Sequence, residues 1–184
     1  MARRSRIKFT YEDYRNLPES ETKRYELLEG DLVMVPSPTT YHQQVSQNIE
    51  RALDSFVQKN SLGRMFHAPC DVVLSENTVV QPDIFFVSKE REGIITLQSV
   101  RGAPDLVVEV LSPGTADRDR TIKRALYAQY GVQECWIVDP DMKIIEVLVL
   151  GELGFRSIAV YTQQQTLRSP LLKGFGLPVS EVFP

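Results

Sequence analysis

The sequence predicts an α/β domain: a mixed β-sheet with helices on its faces and a β-hairpin near the N-terminus. Three observations predict it. Residues 104–139 run strand, turn, helix, strand, the order that places two parallel strands around a helical crossover, expected to be right-handed. Residues 40–59 carry apolar side chains at helical spacing, and the segments around 63–87 switch to short β-branched runs. With 184 residues, 42% hydrophobic and 24% charged, there is material for one sizeable core, so one domain over 1–184 is expected.

The elements follow in order. Thr10 caps a short helix over 10–16, with acids in its first turn and Pro18 beyond its end. KRYELLEG and DLVMVPSP form a hairpin turning at Glu29-Gly30-Asp31, where Gly30 permits positive φ. After Pro36-Ser37-Pro38, a helix runs from Thr40 to Lys59, capped by Thr39 or Thr40, with Val45, Ile49, Ala52, Leu53 and Phe56 inward. RMFHAPCDVVLS and VVQPDIFFVS are strand segments around a turn at Glu76-Asn77. In the second, Gln81, Asp83 and Phe85 share one face and Ile84 and Phe86 the other. Pro82 lacks an N–H and marks an edge, a strand start or a bulge.

Residues 88–102 read as a loop with a short helical or irregular piece, placed where substrate contacts tend to sit. The strand at 104–111 puts Asp105, Val107 and Glu109 on one face and Leu106, Val108 and Val110 on the other. Thr115 or Asp117 caps the next helix, which stops at Gly131. An ideal projection buries Ile122, Leu126 and Tyr130 and sets Asp119, Lys123 and Tyr127 along the flank, letting Lys123 snorkel over the sheet rim. Strands follow at 134–139 and 143–150, then one or two short strands and a C-terminal tail.

Glu109 is the residue that asks for an explanation. A carboxylate between Val108 and Val110 is costly to bury without a partner or a metal. Should Asp83 lie on the neighbouring strand, the two carboxylates and a backbone carbonyl, that of Val110, converge on one divalent cation. Oxygen ligands favour Mg²⁺ or Mn²⁺ over zinc. Such a cation polarises a phosphodiester and acidifies a bound water, and a nearby lysine stabilises the developing charge. The plain alternative has Asp83 capping a turn and Glu109 in a structural ion pair with Lys123 or Arg124. Of the hairpin acids Glu26 and Glu29, Glu29 joins the supporting candidates, with His42 in the first turn of the 40–59 helix.

Net charge of −3 argues against bulk coating of nucleic acid, although Arg3, Arg4, Arg6 and Lys8, and Arg118, Arg120, Lys123 and Arg124, form two local basic clusters. The two cysteines, Cys70 and Cys135, have no zinc spacing and read as reduced thiols. No apolar run reaches the ~20 residues of a membrane span and no signal-peptide core is visible, so a cytoplasmic protein with no membrane contact is expected.

Pro82-Asp83, then Glu109-Val110-Leu111 on a strand, then Asp119, Lys123 and Tyr127 on a helix, then GVQECWIVDP, resemble the Uma-type family of proposed bacterial endonucleases in the PD-(D/E)XK superfamily. YELLEGDLVMVPSP with His42, and LRSPLLKGFGLPVSEVF, resemble that family's flanks. The resemblance implies a restriction-endonuclease-like core and Mg²⁺- or Mn²⁺-dependent cleavage of nucleic acid, DNA in the first instance. It implies a site of Asp83 and Glu109 with Lys123, supported by Gln81, Asp119 and Tyr127. Leu111 stands where the superfamily's lysine is usual, so Lys123 is the implied replacement. By analogy the active species is a homodimer. Two readings compete: a non-catalytic nucleic-acid- or protein-binding module with a decayed site, and a structural homodimer joined through Phe85-Phe86 and the VLVL strand.

Overall fold

The computed structural model describes residues 7–18, 24–114 and 116–184. Helix α1 (Tyr11–Arg15) starts at a Thr10–Asp13 capping box. Strands β1 (Arg24–Leu28) and β2 (Asp31–Val35) pair across a two-residue turn in which Glu29 and Gly30 both have positive φ. Helix α2 (Thr40–Lys59) begins where the Thr39 side chain accepts the His42 N–H. Strands β3 (Gly63–His67), β4 (Val72–Ser75), β5 (Thr78–Val80) and β6 (Ile84–Ser88) follow, then a 3₁₀ turn, β7 (Val100–Arg101) and β8 (Leu106–Val110). A helical run links β8 to β9 (Glu134–Asp139): α3 (Ala116–Arg118), a π turn at Asp119–Lys123 and α4 (Arg124–Tyr130). Gly131, left-handed at φ 89°, ends it. Strands β10 (Ile144–Gly151), β11 (Gly154–Thr162), β12 (Thr166–Arg168) and β13 (Gly176–Pro178) complete the chain.

Two main sheets result. One has the order β2-β1-β5-β4-β7 and the other β11-β10-β9-β8-β6-β3, with β8 and β9 parallel as the crossover predicts. The expected mixed sheet is therefore present, but the two β segments between 63 and 88 each divide between sheets. β3 and β6 pair in the larger sheet, β4 and β5 in the smaller. The chain changes sheet through Gln81-Pro82-Asp83, where Pro82 has no N–H for a ladder. The last part holds more strand than expected: β11 pairs with β10 along its length.

The larger sheet has an apolar core on each face. On one, Val45, Ile49, Leu53 and Val57 of α2 pack on Ile84, Phe86, Leu106, Val108 and Val110. On the other, Phe85, Val107, Cys135 and Ile137 meet the smaller sheet and Leu126 and Tyr127 of α4. Cys70 and Cys135 are both free thiols, the second buried. Phe85, Phe86, Val147 and Leu148 are all fully buried within the chain. Of the suggested Phe85-Phe86 and VLVL interface, only Val149 and Leu150, both half-buried, reach the surface.

None of residues 88–102 lines the cavity beside Glu109. The loop lies at the opposite end of β8, where Asp105 accepts the Ser88 N–H at 2.7 Å and pairs with Arg91 at 3.0 Å. The antiparallel register of β6 against β8 dictates this placement, because β6 ends beside the start of β8.

A second buried acid pins the C-terminal segment. Glu134 is 1% exposed and accepts the Trp136 indole N–H at 2.6 Å and the Leu171 N–H at 2.8 Å. Burial pushes its carboxyl above the ordinary range against the pull of these donors. Glu134→Ala leaves two N–H groups without acceptors, and we expect a loss of about 3 kcal/mol in urea unfolding. A loss below about 0.5 kcal/mol would show that the network contributes nothing to stability.

Candidate active site

Five elements converge on one cleft of about 60 Å³, whose lining includes Glu26, His42, Asp83, Glu109, Val110, Asp119 and Lys123. Asp83 sits just before β6, at the point where the β6–β8 ladder stops. Its Oδ2 accepts the Val110 N–H at 2.8 Å, replacing the backbone acceptor that a longer β6 would supply. His42, in the first turn of α2, places Nε2 2.8 Å from the Val110 carbonyl oxygen and 3.3 Å from Asp83 Oδ2. Side chains therefore hold both sides of the peptide chain at Val110. Burial works against the His42 imidazolium, but the hydrogen bond and charge of Asp83 outweigh it and raise its pKa.

Behind this frame lies a buried ammonium. Lys123 is 3% exposed, and its Nζ lies 2.7 Å from Glu109 Oε1, 3.0 Å from Glu26 Oε1 and 3.6 Å from Asp119 Oδ1. Burial alone would strip its proton, but Glu109 and then Glu26 more than offset that, so Lys123 stays charged with its pKa well above the ordinary value. The Tyr127 hydroxyl donates to Glu109 Oε1 as well. Glu109 itself titrates well above the ordinary range: burial is the largest cause, Lys123 opposes it, and Asp119, Asp83 and Glu26 add to it. One lysine cannot offset so many neighbouring acids.

That surplus of negative charge bears on a metal ion. Oε1 of Glu109 is occupied by Lys123 and Tyr127, and Oδ2 of Asp83 by Val110 and His42. Among the described residues, Glu109 Oε2 and Asp83 Oδ1 have no hydrogen-bond or ion-pair partner. The Val110 carbonyl keeps one lone pair beyond its His42 contact. No group of three or more His, Cys, Asp and Glu side chains among the described residues is arranged as a metal site. The donors that fit a divalent cation are thus two carboxylate oxygens and a backbone carbonyl, a hard all-oxygen set suited to Mg²⁺ or Mn²⁺.

The Uma2 family model, described as "Putative restriction endonuclease", matches residues 11–180. The chain belongs to the Uma2 family. A crystal structure titled as a "putative nuclease" from Anabaena variabilis has the same fold, with TM-score 0.79 and 21% identity, over 95% of this chain and 97% of that one. No curated protein matches the sequence. No helix among the described residues is long and apolar enough to cross a membrane.

In this Uma2 chain, Asp83, Glu109, Val110, Lys123, Asp119 and His42 share the cleft. Tyr127 reaches it through Glu109. Gln81 lines the cleft, but its side chain turns away to Asp71 at 2.8 Å while its N–H donates to Glu26 at 2.8 Å. Glu29 is corrected: it is exposed in the hairpin turn, and the acid in the cleft is Glu26, 2% exposed. Glu26 shares its strand face with the buried Leu28, whereas Glu29 sits beside Gly30 in the turn.

The helix is corrected too. Its buried stripe is Asp119, Lys123, Leu126 and Tyr127, while Ile122 is 48% exposed. The polar residues turn inward because Glu109 and Glu26 supply partners there, and the π turn sets their angle. Lys123 is consequently enclosed and does not snorkel. The basic cluster around it dissolves, with Arg120 paired to Asp139 at 2.7 Å and Arg124 donating to the Phe155 carbonyl at 3.3 Å. In the other cluster Lys8 pairs with Asp31 at 3.0 Å. Arg3, Arg4 and Arg6 of that cluster, and Thr115 as a helix cap, lie outside the described residues.

Proposed function

We propose that this protein is a divalent-metal-dependent endonuclease, using Mg²⁺ or Mn²⁺ to hydrolyse phosphodiester bonds of DNA. The carrying observation is the buried Lys123 ammonium held against Glu109 in the cleft that also contains Asp83. Asp83, Glu109 and the Val110 carbonyl would hold the cation. Once bound, it would polarise the phosphodiester and acidify a water. The chain's own residues supply the rest. Tyr127 and Lys123 fix Glu109 Oε1 and leave Oε2 for a ligand. Glu26 and Asp119 hold Lys123 charged, so that its ammonium can stabilise negative charge developing on the phosphate. His42 holds the Val110 carbonyl. Cutting both strands of a duplex calls for two such sites, which favours a homodimer of single-domain chains.

The test is Mg²⁺ or Mn²⁺ calorimetry together with cleavage of a panel of DNA and RNA substrates. Absence of metal binding would remove the proposal, and binding without any cutting would favour a non-catalytic nucleic-acid-binding module.

A pH dependence follows from Glu109. Its carboxyl is raised, so the folded protein keeps a proton above pH 4.5, where an ordinary glutamate has lost it. With Oε1 accepting from Tyr127, that proton sits on Oε2. Mg²⁺ binding should therefore release it, and affinity should climb with pH from the ordinary carboxylate range up to the raised pKa. Calorimetry in two buffers of different ionisation enthalpy reads the proton count. An affinity independent of pH across this range would exclude Glu109 as a ligand.

A further inference from the structure

A groove of about 790 Å³ runs from the cleft along α2 and shares with it Pro38, Gln43, Ala68 and Asp83. The inner face of α2 is committed to the core through Val45, Ile49, Leu53 and Val57. Its outer face carries Gln43, Gln47 and Arg51, all exposed. Steps of four residues place these three about 6 Å apart along the helix axis. Among the described residues the side chains of these three make no hydrogen bond or ion pair. The neighbouring polar groups are engaged: Glu50 with His67 at 2.6 Å, and Asp54 with Gln58 at 2.6 Å.

The charge of the groove selects what it can hold. Glu50, Asp54 and Asp83 line it against Arg51 and His67, so a phosphate chain laid there would meet surplus negative charge. A different groove, reached past Arg24 and Gln81, holds Tyr14, Arg15 and Tyr25, the cations and rings that suit a nucleic-acid backbone and stacked bases. The α2 groove instead offers amides and carboxylates, the groups that read base edges: Gln pairs with adenine, acids accept from cytosine, and Arg pairs with guanine.

We infer that the outward face of α2, through Gln43, Gln47 and Arg51, reads base edges of the nucleic acid on one side of the bond to be cut. The inference rests on the nuclease reading above and adds sequence preference to it. Gln43 borders both cleft and groove, which places the first base read next to the scissile phosphate. Gln47 and Arg51 read the bases beyond it.

The experiment uses a randomised oligonucleotide duplex library, sequenced after capture on the protein without added metal and, separately, after cutting with Mg²⁺. Wild type should select bases at two or three adjacent positions. Gln47→Ala combined with Arg51→Ala should reduce that selection by about fivefold or more at one or two of them, leaving the remaining profile in place. Both side chains are exposed, and an unchanged thermal midpoint confirms folding. An identical profile in the double variant overturns base reading while leaving the nuclease reading intact. So does a uniform weakening with a shallower salt dependence, the mark of phosphate contacts. A wild type that cuts without preference also overturns it. If wild type neither captures nor cuts any duplex, both readings fall together.

Discussion

Lys123→Met should abolish cleavage, with a loss of about 10²-fold or more, and should destabilise the protein by about 3–5 kcal/mol near neutral pH. Methionine keeps much of the side-chain volume, so the change isolates the charge. Without the ammonium, Glu109, Glu26 and Asp119 lose the cation that lies within 3.6 Å of all three. The sign of the pH dependence follows from the partners. Lys123 has a raised pKa, so its contribution is present below the unfolded-state value and disappears only as pH rises through the folded one. At acid pH the deficit of the variant should shrink, because the three carboxyls take up protons. Denaturant melts from pH 4 to 8 beside a cleavage assay test both parts. A variant that cuts at the wild-type rate removes Lys123 from the mechanism, and one as stable as wild type at pH 8 removes its electrostatic role.

Asp83→Asn separates chemistry from architecture at the other end of the cleft. An asparagine carbonyl can still accept the Val110 N–H that Asp83 holds at 2.8 Å, so stability should change by no more than about 1 kcal/mol. The charge available to a cation disappears. Mg²⁺ affinity should fall by about tenfold or more and cleavage by about 10²-fold or more. Calorimetry, cleavage and a thermal melt on one preparation give all three quantities. Retained cutting would mean that Asp83 is only a ladder-capping residue.

Elements marked by local chemistry were legible in the sequence. Thr10 and Thr39 accept backbone N–H groups at helix starts, Gly131 adopts the left-handed helix stop, and the Glu29-Gly30 turn joins the hairpin. What was not legible depends on distant pairing. Nothing near Val72 or Val79 says that those strands belong to a smaller sheet, because their partners Val100 and Leu27 are remote in the chain. The inward face of the helix after β8 departs from its apolar pattern for a related reason. An apolar pattern locates a buried stripe only where the opposing surface is apolar, and here that surface carries Glu26 and Glu109. Asp83, Glu109 and Lys123, which the family resemblance names together, line one cleft, whereas of the hairpin acids Glu26 and Glu29 only the placement of β1 beside β5 singles out Glu26. Leu111 also has a physical place. It is 7% exposed and packs in the apolar cluster with Leu126, Tyr127 and Cys135, a setting in which a lysine would have to bury its charge.

The π turn at Asp119–Lys123 makes the cleft sensitive to the length of the chain as well as to its residues. A π turn holds one residue more than α-helical bonding would use, and each residue of an α-helix rotates the chain by about 100°. Deleting a single residue among Arg120, Thr121 and Ile122 would straighten the helix and swing Asp119 out of line with Lys123 and Tyr127, breaking the array with every cleft residue still present. Substitutions at the exposed Arg120, Thr121 and Ile122 leave that spacing intact. Across relatives of this chain, this segment should accordingly tolerate changes of residue type and resist changes of length.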